Sequence, residues 1–242
     1  MSGKYEPATA LGRVVNGFEE TFIAVILGLM TAITFANVVI RYVFNSAAGQ
    51  WVERTFSIDL PGSLIWGLEL TSALFAWLVL FGMSYAVKVT AHLGVDAIIN
   101  LLPHRGRRML ALIAAACCLA YGFLLMKGAW DYWAPFGGFE QTGGRWFPEG
   151  FIKTRDQGWY ETEQIPMPDW LRFVEPIFNQ GEHYEKLPRF IPYLMLPIGC
   201  ALLMFRFIQA TWELIAGKRE GLIVSHEAED AIEDVRHMNY EE

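Results

Sequence analysis

The chain has 242 residues, of which 53% are hydrophobic, and its formal net charge is −7 at pH 7. A soluble domain of this length could bury one core. Here, however, the apolar residues form long uncharged blocks, and the charges lie between the blocks. The acidic residues 225–242 argue against a nucleic-acid partner for that segment, and the three cysteines lack the spacing of a zinc site. The pattern indicates an integral membrane protein rather than a soluble enzyme.

Four apolar blocks are long enough to cross a bilayer. About 20 helical residues span a hydrocarbon core of about 30 Å. Thr21–Ile40 and Met109–Met126 contain no charged residue. The predicted spans are residues 21–44, 64–87, 109–130 and 190–216. We expect the first span to remain in the mature protein, because its apolar stretch is too long for the core of a signal peptide.

Span one has small residues at every fourth position, namely Ala24, Gly28, Ala32 and Ala36. Small side chains at this spacing let another helix approach closely, but the pattern does not tell whether that helix belongs to this chain. Residues 46–63 follow, and they are too few and too charged to cross the membrane. We expect a short helix or turn that lies in the membrane interface.

Span two contains an ionisable residue, Glu69, near its start. Charged groups inside a membrane usually face protein or water and pair with each other. We therefore expect Glu69 to pair with Arg41 or Arg54 at the outer ends of spans one and two. Three further charged residues near span ends are expected to extend towards the headgroups: Lys127, Arg206 and Glu213.

The connection between spans three and four, residues 131–189, holds six prolines and four tryptophans. Disordered segments are poor in aromatic residues, so we expect this loop to fold onto the helices, with a short interfacial helix at Asp169–Asn179. Two interpretations stay open. The loop either caps the helices or docks a periplasmic protein through Trp146, Trp159 and Trp170.

The distribution of Lys and Arg predicts the topology. Short cytoplasmic loops are enriched in these residues, and they concentrate in residues 88–108 and after span four. Both termini are therefore expected in the cytoplasm, and the loop 131–189 in the periplasm. Residues 217–242 would form an acidic cytoplasmic tail. The expected architecture is one all-α membrane domain over residues 1–242, with four transmembrane helices, short interfacial helices and a long periplasmic loop.

Several catalytic signatures are missing from the sequence. It has no nucleotide-binding GxxxxGK[ST] motif, and none of its five histidines lies in a predicted span, as a membrane haem protein would require. We expect no catalytic residue, no metal site and no cofactor.

A series of short motifs is typical of one transporter family. Span one ends in VVIRYVFN at Val38–Asn45, span two opens with Trp66 and Glu69, and His92 and Asp96 follow it. In order and spacing, this series resembles the small membrane subunit of tripartite ATP-independent periplasmic (TRAP) transporters. The resemblance extends over roughly residues 16–108.

The resemblance implies a non-catalytic subunit of the bacterial inner membrane that scaffolds a large polytopic subunit. That large subunit would hold the substrate and sodium sites, and a periplasmic binding protein would deliver an organic acid. The family-signature residues would have structural roles: Arg41, Trp66, Glu69, His92 and Asp96. The alternative functions are a membrane electron-transfer subunit and an assembly protein.

Overall fold

The computed structural model describes residues 10–88, 104–148, 150 and 160–217. Its α-helices are α1 (Ala10–Val39), α2 (Ala47–Phe56), α3 (Ile65–Lys88), α4 (His104–Trp133), α5 (Glu175–Phe178), α6 (Phe190–Tyr193) and α7 (Met195–Ile215). A π-helical turn, Ile40–Phe44, continues α1, and 3-10 turns occupy Ala134–Gly137 and Asp169–Val174. The strands are β1 (Glu161–Pro166) and β2 (Lys186–Pro188).

Four helices are long and apolar enough to cross a membrane, which confirms the predicted four-span architecture. They comprise Gly17–Phe44, Ile65–Lys88, Arg105–Gly137 and Phe190–Ile215. With 30 residues, α4 is about 45 Å long. It therefore exceeds the thickness of the hydrocarbon core and extends beyond it.

The long helices pack as an open row. α1 packs on α3, α3 on α7, and α7 on α4, so α1 and α4 form the two edges. Two glycines on these contacts permit a close approach. A Cβ at Gly199 would lie 2.7 Å from Cβ of Leu80, and one at Gly122 would lie 3.1 Å from Sδ of Met204. Backbones in contact at small residues are a common basis of helix association in membranes.

The two ends of the row differ. The end that carries residues 45–64, 134–148 and 160–189 is here called the loop end, and the opposite end, near residues 17, 88, 104 and 215, the terminal end. At the loop end, Ser46 caps α2 by accepting a hydrogen bond from the Gly49 N–H at 3.3 Å. This cap starts a new helix a few residues after α1 ends.

The long loop folds over the helix ends as a cap, as its aromatic content predicted. β1 and β2 form a small antiparallel sheet, which the sequence did not predict. Side chains from the sheet, the loop and the adjoining helices form a buried cluster, here called the cap core: Trp133, Ile165, Met167, Val174, Tyr184, Leu187 and Phe190. Trp133 Nε1 donates a hydrogen bond of 2.8 Å to the carbonyl of Phe190 and so joins α4 to α6. The cap is thus continuous with the helix row.

Candidate functional site

Glu69 holds the cap to span two. It lies near the start of α3, where its Oε1 accepts a hydrogen bond from the Glu163 N–H at 3.0 Å and its Oε2 accepts one from the Gln164 N–H at 2.7 Å. Hydrogen bonds to an ionised acceptor are stronger than those between neutral groups. Two consecutive amides of β1 are therefore fixed by one carboxylate.

The predicted ion pair of Glu69 with Arg41 or Arg54 is wrong. In the described part of the chain, the partners of the Glu69 carboxylate are backbone amides, and the Arg41 side chain is exposed. The Glu69 carboxylate is partly buried, and backbone N–H groups satisfy its oxygens as a cation would. These donors come from a strand 94 and 95 positions further along, so local spacing could not reveal them.

The VVIRYVFN motif forms the junction between α1, α2 and α3. Asn45 Nδ2 donates to the carbonyl of Arg41 at 3.0 Å and to that of Gly62 at 2.8 Å. In the last turn of α1, Asn37 Oδ1 accepts a hydrogen bond from the Leu64 N–H at 3.2 Å. The two amide side chains thereby satisfy backbone groups at the end of α1 and just before the start of α3. Arg41 takes part through its backbone carbonyl.

The other sequence-predicted residues are spread over the molecule. Trp66 is half-buried against the cap core, whereas Trp146 and Trp170 are 68% and 76% exposed. His92, Asp96 and Trp159 lie outside the described residues. The structure therefore brings Glu69 and Trp66 together at the cap and leaves two of the three predicted docking tryptophans open.

A second carboxylate, Glu175, joins two segments of the cap through Arg172, His183 and Tyr184. Its side chain is 4% exposed. It lies 3.0 Å from Arg172, its Oε2 lies 2.9 Å from His183 Nδ1, and its Oε1 accepts the Tyr184 N–H at 3.2 Å. Burial alone would raise the pKa of this carboxyl. The hydrogen bonds of Tyr184 and His183 and the charge of Arg172 outweigh burial, and the pKa is lowered from its ordinary value of 4.5.

Sequence reasoning missed a polar network inside the helix row at the terminal end. The carboxylate of Glu19 is fully buried and pairs with the guanidinium of Arg206, whose side chain is 1% exposed. Ser84 Oγ donates to Glu19 Oε1 at 2.8 Å. Close by, Lys88 Nζ lies 3.0 Å from Glu20 Oε1. The network joins α1, α3 and α7.

The prediction that Arg206 extends to the headgroups is wrong. Its side chain is buried between the helices of the row. The available signal was weak. Glu19 lies two positions before the first apolar block, and Arg206 interrupts the fourth, but many charges near span ends are solvated. Within residues 10–88, 104–148 and 160–217, no group of three or more His, Cys, Asp or Glu side chains is placed to hold a metal ion.

These observations define an integral membrane protein of four helices in which buried polar groups join the helices to each other and to a folded cap. Residues 30–153 match the family described as tripartite ATP-independent periplasmic transporters, DctQ component. The match covers more than half of the chain. Alignments with individual relatives cover more than nine-tenths of it. The chain belongs to this family.

Relatives in three bacteria carry the name C4-dicarboxylate TRAP transporter small permease protein DctQ. The chain is 44% identical to that of Vibrio cholerae over 93% of its own length and 83% of the relative. It is 28% identical to that of Pseudomonas aeruginosa, over 94% of this chain and 97% of the relative. It is 23% identical to that of Rhodobacter capsulatus, over 83% and 77%. No solved structure matches the chain significantly.

Proposed function

We propose that this chain is the non-catalytic small permease subunit of a TRAP transporter in the bacterial inner membrane, where it scaffolds a large polytopic subunit. The observation that supports this most strongly is the 44% identity to a small permease along 93% of the chain. Family membership favours this function over the electron-transfer and assembly alternatives.

The exposure of α1 supports a scaffolding role. Among its described side chains, Glu19 and Ile26 are the buried ones. Ala24, Gly28 and Ala32 are exposed, and a Cβ built at Gly28 meets nothing within 4 Å. A row of small residues at the edge of the helix row allows a helix of another subunit to approach closely. The large subunit would pack on this face of α1.

The charges at the helix ends support the proposed orientation. Lys88, Arg105, Arg107 and Arg108 lie at the terminal end, where short loops would face the cytoplasm. Both termini and the acidic residues 217–242 would then be cytoplasmic, and the cap would be periplasmic. The chain would form a single membrane domain over residues 1–242, in which Arg41, Trp66, Glu69, His92 and Asp96 have structural roles.

The names of the relatives suggest the substrate. Three of them are called C4-dicarboxylate TRAP transporter small permeases. We propose that the assembled transporter takes up C4-dicarboxylates with sodium and that the large subunit holds the substrate and ion sites. Inside the present helix row, the described charges are engaged with each other, which suits a static scaffold better than a transport pathway.

The cap offers a surface for the periplasmic binding protein. Trp170, Phe173 and Ile177 are 76%, 65% and 66% exposed and recur at helical spacing. Contiguous exposed apolar residues mark interaction sites. On the inner side of the same segment, the Phe178 ring contacts that of Phe190 at a ring-centroid distance of 4.5 Å, which fixes the segment over the helix ends.

The docking proposal is tested by replacing Trp170 and Phe173 with Ser in the assembled complex. Weaker association with the purified binding protein is expected, and Trp212→Ser, which alters a residue 72% exposed near the terminal end, is the control. Unchanged affinity in a correctly assembled complex would contradict this surface without affecting the assignment as a small permease.

Gly28→Leu tests the assignment of the scaffolding face. A Cβ at this exposed position meets no neighbour within the chain, so the chain should still fold, whereas co-purification of the large subunit and sodium-dependent uptake of labelled succinate should fall. Gly128→Leu on the other edge helix is the matched control, because a Cβ there also meets nothing within 4 Å. A chain that purifies without any large membrane protein would overturn the proposed function.

A further inference from the structure

After leaving α4, the loop turns back and runs down the outside of this helix. Four successive contacts trace the descent. Phe139 stacks on Trp133 with ring centroids 5.5 Å apart, and the Glu140 carbonyl accepts from Trp130 Nε1 at 3.2 Å. Thr142 Oγ1 lies 2.6 Å from Lys127 Nζ, and Trp146 contacts Phe123 with ring centroids 5.8 Å apart. As the residue number in the loop rises from 139 to 146, that of the contacted α4 residue falls from 133 to 123.

This descent sets the depth of Trp146. Ten α-helical residues from Trp133 to Phe123 correspond to about 15 Å along the axis. Phe123 lies inside the uncharged block Met109–Met126, close to its end, and its neighbour Leu124 is 60% exposed. Trp146 and Phe147, which are 68% and 74% exposed, therefore lie beside the part of α4 that crosses the bilayer.

Two hydrogen bonds fix the turn that precedes Trp146. The Thr142 N–H donates to Asp131 Oδ1 at 2.6 Å, and its hydroxyl donates to Oδ2 at 2.7 Å. Gly143 and Gly144 follow with φ of 54° and 88°, which L side chains rarely adopt. These residues direct the chain inwards, and Thr142 itself is 2% exposed.

The residues at the bottom of the turn have the composition of a membrane anchor. Aromatic rings favour the boundary between headgroups and acyl chains, and neighbouring cations favour the phosphates. Arg145 directly precedes Trp146, and its half-exposed side chain lies 4.0 Å from Glu140. Phe123 lies about four residues, or roughly 6 Å, inside the end of the uncharged block, which matches the 5–10 Å depth of interfacial apolar faces.

We infer that Trp146 and Phe147 insert into the outer headgroup–acyl boundary of the bilayer and anchor the loop to lipid beside α4. This inference gives Trp146 a role other than docking a periplasmic protein, which was one of the two interpretations that the sequence left open. It does not depend on the proposed transport function, because it concerns only how this chain meets the membrane. The anchor would hold the start of the loop against the edge of the helix row and keep the cap in place.

The test places a nitroxide label at position 147. Phe147→Cys is made in the full chain with Cys117, Cys118 and Cys200 replaced by Ala, and the chain is reconstituted, with any membrane partner that co-purifies, in phosphatidylethanolamine and phosphatidylglycerol bilayers. The ratio of oxygen to nickel-chelate accessibility should match that of Leu124→Cys, a lipid-exposed reference. It should exceed several-fold that of Glu163→Cys, an exposed polar position of β1.

Two results would overturn the anchor. A nickel-chelate accessibility like that at position 163 would place Phe147 in water, and low accessibility to both reagents would place it under a protein partner. A second measurement avoids the cysteine background. Brominated lipid should quench the tryptophan emission of the native chain more than that of Trp146→Phe, and equal quenching would contradict insertion.

Discussion

Glu19 on α1 and Arg206 on α7 form an ion pair across 187 positions of sequence, with 0% and 1% of their side chains exposed. Each charge compensates the other, and Ser84 supplies a further donor to the carboxylate. Since α1 packs mainly on α3, this pair is a direct bond between α1 and α7 at the terminal end. It fixes the position of the edge helix along the row.

Removing one charge of this pair should destabilise the protein strongly. Glu19→Gln leaves the Arg206 guanidinium buried without its counter-ion, and breaking a buried pair in this way costs about 3–5 kcal/mol. We expect a large loss of thermal stability in detergent, measured by the unfolding of the purified chain. The double variant Glu19→Leu with Arg206→Met should recover much of this loss, because no charge is then left uncompensated.

Arg105→Gln is the control for this cycle, because it removes an exposed cation at the same end and should change stability by less than about 0.5 kcal/mol. If the double variant is as unstable as the sum of Glu19→Leu and Arg206→Met made singly, the two residues do not interact as the structure describes.

Glu69→Ala should loosen the cap without unfolding the spans. The substitution removes the acceptor of two β1 amides, and hydrogen bonds to charged groups contribute about 1.5–3 kcal/mol each. Hydrogen exchange at Glu163 and Gln164 should therefore accelerate by about tenfold or more. Exchange in α7 should be unaffected.

Glu163→Gln provides the comparison, because its side chain is exposed while its backbone N–H still reaches Glu69. Exchange at Gln164 should stay slow in this variant. Slow exchange of both amides in Glu69→Ala would show that the carboxylate does not hold the strand.

The four spans were predictable because each is encoded locally, as a continuous apolar run whose backbone hydrogen bonds close within the same helix. The partners of the charges were not. Glu69 binds amides 94 and 95 positions away, and Arg206 binds a carboxylate 187 positions away. A single sequence gives composition and period, but no information on which distant residues meet.

In the cap, too, the local features were predictable from the sequence and the contacts between distant residues were not. Its aromatic residues predicted a folded loop. The strands β1 and β2 were not predicted, because they are only six and three residues long and are far apart in the sequence. The descent of the loop along α4 depends on two left-handed glycines and on the Asp131–Thr142 contact. Neither changes the local hydrophobic pattern from which the loop was interpreted.

Trp77→Phe should weaken the joint between α3 and the start of span four. Trp77 Nε1 donates a hydrogen bond of 2.8 Å to the Pro192 carbonyl, and phenylalanine preserves most of the ring contact with Phe81 but not this bond. A loss of about 1 kcal/mol is expected in the free energy of unfolding. Trp212→Phe, at an exposed site, should have almost no effect. Equal losses in both variants would contradict a specific role for the bond.

Acid should weaken the cap through Glu175. The pKa of this carboxyl is lower in the folded cap than its ordinary value of 4.5. Its stabilising contribution is therefore complete above about pH 4.5 and is lost as the pH falls through the lower folded pKa. Below that range the protonated carboxyl binds Arg172 and His183 less well, and the 169–178 segment should open before the membrane helices do.

The measurement is hydrogen exchange at Tyr184, whose N–H donates to Glu175, as a function of pH after correction for the intrinsic rate. Protection should fall with acid in the native chain and should be low and independent of pH in Glu175→Gln. Glu185→Gln, which changes an exposed carboxylate one position from the probe, should retain the native profile. A native profile in Glu175→Gln would assign the acid sensitivity to another group and remove Glu175 from the account of how the cap is held.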